Sequence, residues 1–337
     1  MMLKILLFLK KRLGYSLYKK KYHQIYLEKI EKDLTNARMM LNYAIIRQRY
    51  ELLAMYSNDK GTTTENRCNE EIIISLTTHG KRLQSVFLTI ESLFQQTVKA
   101  NKIVLYLSDK CSQNTIPNIL KKQIERGLEI KFVPDIRSYT KLIYALKDFP
   151  NATIINVDDD FLYPIDHIEK LIKAHQEAPS KIICHQAKKM AFCKSENRFT
   201  EYDKWEVPRS ESKLESPLLL QYGAFGCLYP PHSLHPNVFD KSTFLSLAPS
   251  ADDIWFWSMA LLQHTPIQLL ERSFSECGTT GQPVNYDSAL WRIEYGQDIA
   301  LGNINVYGKQ NDVQLDAICK HFNLYDFFQK YEDSGNV

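Results

Sequence analysis

Residues 139–164 read YTKLIYALKDFPNATIINVDDDFLYP. The spacing predicts a helix over 140–147, stopped before Phe149-Pro150. The run TIINV at 153–157 has the short, apolar, β-branched character of a buried parallel strand. Three acids, Asp158, Asp159 and Asp160, follow it at once, and FLYP closes the stretch. Helix, buried strand and polar cluster together make one βα step, and the flanking sequence repeats the step.

Upstream, IIISL at 72–76 is a second such strand, followed by the turn TTHGKR at 77–82. A helix over 85–96 carries Val86, Ile90, Leu93 and Phe94 on one face. A strand at 103–107, a helix at 116–126 stopped by Gly127, and a strand at 129–133 complete the upstream series. Downstream, Asp166 is placed to N-cap a helix over 168–174, before a short strand at 182–184. Repeated βα units predict an α/β fold: a Rossmann-type, mostly parallel sheet with right-handed crossovers, flanked by helices. Ligands of such sheets bind beyond the carboxyl ends of the strands. That rule brings 77–82 and 158–160 to one edge.

Three adjacent carboxylates raise one another's pKa unless something neutralises them. Mg²⁺ and Mn²⁺ prefer carboxylate oxygen and bridge to phosphates. In extended backbone Asp158 and Asp160 point to one side and Asp159 to the other, so the 158/160 pair is the expected metal ligand set. A capping or turn cluster before Pro164 is the plain structural alternative. A second acidic pair, Asp252 and Asp253, opens a helix expected to run to about 263 behind Ser250 as N-cap. Acids there complement the helix dipole. Beside a diphosphate site, one of them is a candidate general base. Between the clusters lies YGAFGCLYPP at 222–231, whose glycines permit close backbone approach to a ligand.

From 71 to 275 the chain resembles bacterial glycosyltransferases of the GT-A type, the family-2-like enzymes that use nucleotide-sugars to build surface polysaccharides. The resemblance rests on IIISLTTHGKRL (72–83), the 139–164 stretch, GAFGCLYPP (223–231) and ADDIWFW (251–257). It implies a hexosyltransferase with Mn²⁺ or Mg²⁺ and a nucleotide-sugar donor, by default a UDP-sugar. It implies that Thr77, Thr78 and Arg82 line the nucleotide pocket, with Lys141 reaching the nucleotide or its phosphates. Asp158 would face the ribose or a metal water, with Asp159 beside it, and Asp160 would bind the metal. Asp253, or its neighbour Asp252, would activate a hydroxyl of a saccharide or glycolipid acceptor, with inversion. Three departures stand out: TTHGKR in place of a Tyr/Asn-rich turn, Asp-Asp in place of Glu-Asp, and no QxxRW signature. The second leaves the base open between 252 and 253, and with it the inverting outcome; the third argues for transfer of a single sugar.

Charge is uneven along the chain. Residues 1–30 carry eight Lys and Arg against Glu28 alone, in a chain whose net charge is only +3. Apolar residues between the bases make this a candidate element for an anionic membrane surface. A solvated arm, or a contact between copies in a homo-oligomer, is the alternative; Met39, Met40, Tyr43, Ala44 and Ile46 suit the latter. The expected organisation is a basic helical N-terminal extension over 1–56, a polar linker over 57–70, a catalytic domain over 71–310, and a C-terminal helix and tail over 311–337. In that last helix Asp312 is the expected N-cap, and Val313, Leu315, Ile318 and Phe322 are spaced for burial. The segment 278–283 reads as a flexible loop, and Trp205 and Trp291 as candidates for an acceptor surface.

Composition excludes several classes. The small net charge argues against a strongly basic nucleic-acid binder. Seven dispersed cysteines without a CxxC pair argue against zinc or a disulfide framework and fit a reducing compartment. ILLFL at 5–9 is too short for a secretory leader, and no run is long enough to span a bilayer. The expected location is cytoplasmic, peripheral to the inner face of the membrane. The same Asp cluster also admits a metal-dependent phosphohydrolase or a nucleotidyltransferase. The first would carry Thr or Val where Leu162 stands, and the second would open on a Gly-rich loop that THGKR only faintly echoes. A non-catalytic polysaccharide-binding protein would not need the carboxylates. No Walker A motif or GxSxG elbow is present.

Overall fold

The computed structural model describes residues 2–208, 214–270, 301 and 303–331. The chain forms two units, Met1–Arg49 and Tyr50–Val337. One helix, α1 (Met2–Tyr56), supplies the first and enters the second. No described helix is long and apolar enough to cross a membrane.

The second unit begins with the βα series foreseen above. β1 (Ile72–Thr77), α2 (Val86–Phe94), β2 (Lys102–Ser108), α3 (Asn118–Glu125), β3 (Leu128–Val133), α4 (Thr140–Asp148) and β4 (Thr153–Asn156) follow in order. Next come α5 (His167–Glu177), β5 (Ile182–Cys184) and two small antiparallel pairs. These are β6 (Ala187–Lys189) with β10 (Leu219–Gln221), and β7 (Phe192–Cys193) with β8 (Arg198–Phe199). The strands β9 (Leu214–Glu215), β11 (Cys227–Tyr229) and β12 (Ile267–Leu269), with helices α6 (Lys241–Leu247), α7 (Asp252–Leu262), α8 (Gln310–His321) and α9 (Leu324–Lys330), complete it.

Eight strands form the central sheet in the order β3-β2-β1-β4-β11-β5-β12-β9. Only β11 and β9 run against the common direction. The fold is therefore the expected α/β arrangement, a mostly parallel sheet flanked by helices, with an N-terminal helical extension. β1 and β4 lie side by side at its centre, Ser75 opposite Asn156. The turns leaving them, at 77–82 and 157–160, are adjacent as a result. β11 pairs with β4 antiparallel, Cys227 opposite Asn156. The chain entering β11, at 222–226, thus reaches the same edge from the other side.

Beneath this edge lies α7, where Ile254, Trp255, Phe256, Trp257, Met259 and Ala260 are all essentially inaccessible. A helix apolar all round belongs inside a core. It packs with Tyr139, Phe244, Tyr229, Leu315, Ile318 and Phe328 in one cluster. Tyr139 donates from its hydroxyl to the Ala248 carbonyl and stacks on Phe244. This fixes the segment that leads into α7.

The helix ends depart from the expected caps. Ala251, not Ser250, occupies the N-cap of α7, and Ser250 is held by Gln314 and Asn305. Asp166 sits at the N-cap of α5, but its side chain makes no capping bond and pairs with Lys170 at 2.9 Å. Lys309 takes the cap of α8, leaving Asp312 to accept the Tyr202 N–H at 2.7 Å. Tertiary partners take Ser250 and Asp312 from the local backbone, and an i,i+4 ion pair at the start of α5 takes Asp166. Val313 is exposed, whereas Leu315 and Ile318 are buried as expected. Trp205 is also buried, its indole N–H donating to the Thr200 carbonyl, so it is a core residue and not part of an acceptor surface. Cys277, the 278–283 loop and Trp291 lie outside the described residues.

Candidate active site

Five aspartates and two bases meet at the carboxyl edge of β1 and β4. The first turn after β1 supplies Thr78 and Arg82. The Thr78 hydroxyl donates to Asp159, and Arg82 Nη1 donates to Asp159 Oδ1 at 2.9 Å. Arg82 Nη1 also lies 3.3 Å from Asp160 Oδ2. The Asp159 carbonyl accepts from the Thr89 hydroxyl at 2.8 Å, which ties the acidic turn to α2. Thr77 is turned away from this group and donates to the Tyr106 carbonyl at 2.9 Å.

Lys141 comes from the first turn of α4, whose start lies at the same edge because the helix follows β3. Its Nζ stands 2.6 Å from Asp158 Oδ1 and 3.2 Å from Asp252 Oδ2. It therefore bridges the acidic triplet and the start of α7. Its backbone carbonyl accepts from the Ser75 hydroxyl, which locks that turn of helix on β1. Asp253 Oδ1 accepts the Gly223 N–H at 3.1 Å. A Cβ at Gly223 would fall 2.8 Å from Asn156 Nδ2, 2.9 Å from Asp253 Oδ1 and 3.3 Å from Lys141 Nζ. Only glycine fits among three polar groups at that distance.

The strict alternation expected of the triplet does not hold. β4 ends at Asn156, and the chain turns rather than extending through the acids. Asp158 consequently faces Lys141, while Asp159 and Asp160 share Arg82. All other site residues foreseen from the sequence except Thr77 meet in this cluster.

Two participants were missed. Asn156 is fully buried at the end of β4, and neither polar atom of its carboxamide has a hydrogen-bond partner among the described residues. Leaving such atoms unpaired costs about 1–3 kcal/mol each, which a structural strand has no reason to retain. A carboxamide within an otherwise β-branched run was the available signal. Tyr163 is the other: its hydroxyl accepts the Asp158 N–H at 2.9 Å and donates to the Ala224 carbonyl at 2.8 Å. It joins the acidic turn to the 222–226 segment, and nothing in FLYP distinguishes it from a core tyrosine.

Electrostatics follow from burial against pairing. Burial lifts the Asp160 carboxyl, and the Asp159 charge adds to it, to about 8. Burial likewise raises Asp159, against the pull of Arg82. Asp253 is pushed up to about 8 by burial and by the charge of Asp252. Burial opposes the Lys141 charge, yet Asp158, Asp252 and Asp253 outweigh it and hold the ammonium protonated well above its usual range. Five carboxyl groups exceed two bases in a buried place, and the excess keeps its protons at Asp160 and Asp253 up to about pH 8.

That excess and the all-oxygen donor set suit a hard divalent cation. Among the described residues no three His, Cys, Asp or Glu side chains converge as a ready metal cage. An ion here would be held through one or two carboxylates and complete its shell with phosphate oxygens and water, as Mg²⁺ commonly does.

No protein-family model matches the chain. No curated protein matches it either. Among solved structures it is similar to S. aureus TarS 1–349, at 14% identity over 60% of this chain and 58% of that one, TM-score 0.39. The same TarS segment in complex with UDP gives 14%, 60% and 58%, TM-score 0.40. The mannosyltransferase PcManGT from Pyrobaculum calidifontis, in complex with GDP-Man and Mn²⁺, is 11% identical over 70% of this chain and 67% of that one, TM-score 0.35. The chain spans less than two thirds of the TarS segment it matches. At TM-scores under 0.5 these likenesses assign no activity to this chain.

Proposed function

We propose that the chain is a metal-dependent glycosyltransferase that moves one sugar from a nucleotide-sugar to a hydroxyl of a saccharide or glycolipid acceptor. The observation that carries this reading is the meeting of Asp158, Asp159, Asp160, Asp252 and Asp253 with Arg82 and Lys141 at the sheet's carboxyl edge. An edge of this kind binds nucleotides, and clustered carboxylates beside fixed bases suit a metal-bound diphosphate.

Asp160 would hold the divalent cation, with Asp158, drawn here toward Lys141, facing the ribose or a metal water. When bound, the cation neutralises the diphosphate that leaves. Thr78 and Arg82 hold Asp159, and so shape the turn against which the donor lies. Lys141 places a fixed positive charge between the triplet and the acceptor side. Asp253 is the general base. Its Oδ1 is oriented by the Gly223 N–H, and a pKa near 8 suits a group that must take a hydroxyl proton close to neutral pH. The acceptor oxygen loses its proton to Asp253 and bonds to the anomeric carbon. The bond from that carbon to the diphosphate oxygen breaks, and the configuration inverts. UDP is the nucleotide, and the product belongs to surface polysaccharide. The basic segment 1–30 rests on the anionic inner face of the membrane, each base contributing about 1 kcal/mol. Removing that segment is expected to abolish sedimentation with anionic vesicles while sparing donor binding; sedimentation that persists would refute the anchor.

The test is release of nucleoside diphosphate from a panel of nucleotide-sugars with Mn²⁺ or Mg²⁺ and candidate acceptors. Asp253→Asn is expected to lower turnover by about 10²–10⁴-fold and leave donor binding intact. A loss confined to Asp252→Asn would move the base to that residue. No turnover and no binding with any nucleotide-sugar would end the reading.

A further inference from the structure

The N-terminal unit is a single helix that carries an apolar stripe on its surface. Leu27, Ile30, Leu34 and Leu41 are 46%, 37%, 65% and 61% exposed, and Ala37 and Ala44 are exposed as well. Their spacing is 3, 4, 3, 4, 3. It is a heptad seam with Leu27, Leu34 and Leu41 at a and Ile30, Ala37 and Ala44 at d. The register meets His23 one step before the seam and Gln48 one step after it, so the apolar part is bounded at both ends. Successive heptads drift by about 20° on a straight helix, which two strands correct by a left-handed supercoil.

We propose that residues 27–44 pair with the same segment of a second copy of this chain as a parallel, in-register, two-stranded coiled coil. The charges beside the seam complement those of a second copy and make the orientation testable. Asp33 falls at g and Arg38 at the following e, and both are exposed. In a parallel pair, g of one helix faces the following e of its partner. Asp33 then meets the partner copy's Arg38 position on both sides of the seam. An antiparallel pair would set e beside e, Glu31 against Arg38, and leave Asp33 facing Met40, so the Asp33 position distinguishes the two orientations. Narrow alanines at d allow close approach of the two backbones. Leu27, Leu34 and Leu41 then lose the water they now face.

Sedimentation velocity of the full-length protein over a wide concentration range is the test. Reversible dimerisation is expected, and Leu34→Asp should weaken it by more than about tenfold, because two buried leucines are lost from each dimer. Far-ultraviolet circular dichroism and the melting temperature of the main domain confirm that the variant is folded. Asp33→Arg alone and Arg38→Asp alone should each weaken the dimer. Mixing the two variants should restore it as a heterodimer, which only the parallel register predicts. A protein that stays monomeric throughout would overturn the proposal. So would a dimer indifferent to Leu34→Asp, or single variants that do not rescue each other. Monomers that bind anionic vesicles through Leu34 would assign the stripe to lipid instead.

Discussion

Asp253 carries most of the chemistry proposed here, and its protonation also carries a stability signature. Burial and the Asp252 charge push its carboxyl up to about 8 in the fold, from an ordinary value of 3.8. Between about pH 4 and 8 the folded state therefore holds a proton that the unfolded chain has released. Stability attributable to this group is full below pH 4 and declines as pH rises to 8, by up to about 1.4 kcal/mol per unit for one proton. Asp253→Asn keeps the acceptor for the Gly223 N–H and removes the titration. Denaturant melts from pH 5 to 8 should show a shallower decline in the variant, which becomes the more stable protein at pH 8. Parallel curves would contradict the raised pKa. At this scale the sequence was legible in residue types and less so in partners. The acids, Thr78, Arg82 and Lys141 were all readable as polar groups at strand and helix ends. That Asp159 and Asp160 share Arg82 while Asp158 takes Lys141 depends on where β4 stops and the chain turns, which local alternation does not encode.

The elements were read with near-correct limits because each alternates between two strong signals, a β-branched run and a helical apolar face. The short strands β6 to β11 and the helices α6 and α9 escaped, and of these β11 bears most on the site. Three residues, Cys227–Tyr229, insert antiparallel between β4 and β5, far from both in sequence. A strand so short has no periodicity to read, yet it delivers Gly223 to Asp253. The helix caps failed for a different reason, since tertiary partners took Ser250 and Asp312 and Lys170 took Asp166. A buried ion pair fixes another joint. Arg126 grips Glu91 through two bonds, at 2.8 and 3.0 Å, and donates to the Leu53 and Asp59 carbonyls. It thereby pins the last turns of α1 and the 57–70 segment to α2. Arg126→Met leaves Glu91 buried without its cation and should cost about 3–5 kcal/mol in equilibrium denaturation. Adding Glu91→Gln should recover part of that loss. An Arg126→Met protein as stable as wild type would show that the joint is not held by this pair.

For the molecule as a whole, the parallel sheet determines where chemistry can happen, and the sequence order determines which residues arrive there. β1, β4 and α4 bring Thr78, Arg82, the triplet and Lys141 from the first half of the main unit. β11 and α7 bring Gly223, Asp252 and Asp253 from the second. An acidic excess assembled from both halves is poorly suited to stability alone, because desolvated carboxylates oppose folding. It is well suited to a charged ligand that arrives with its own cation. The most direct measurement is the thermal melt of wild type and Asp160→Ala against a panel of nucleotide-sugars, with and without Mn²⁺. A ligand at about 100 times its Kd adds about 2.7 kcal/mol, a shift easily read. The account predicts a Mn²⁺-dependent rise with a UDP-sugar that disappears in Asp160→Ala while the variant alone still melts cooperatively. A wild-type melt unmoved by every nucleotide-sugar, with and without metal, would contradict it.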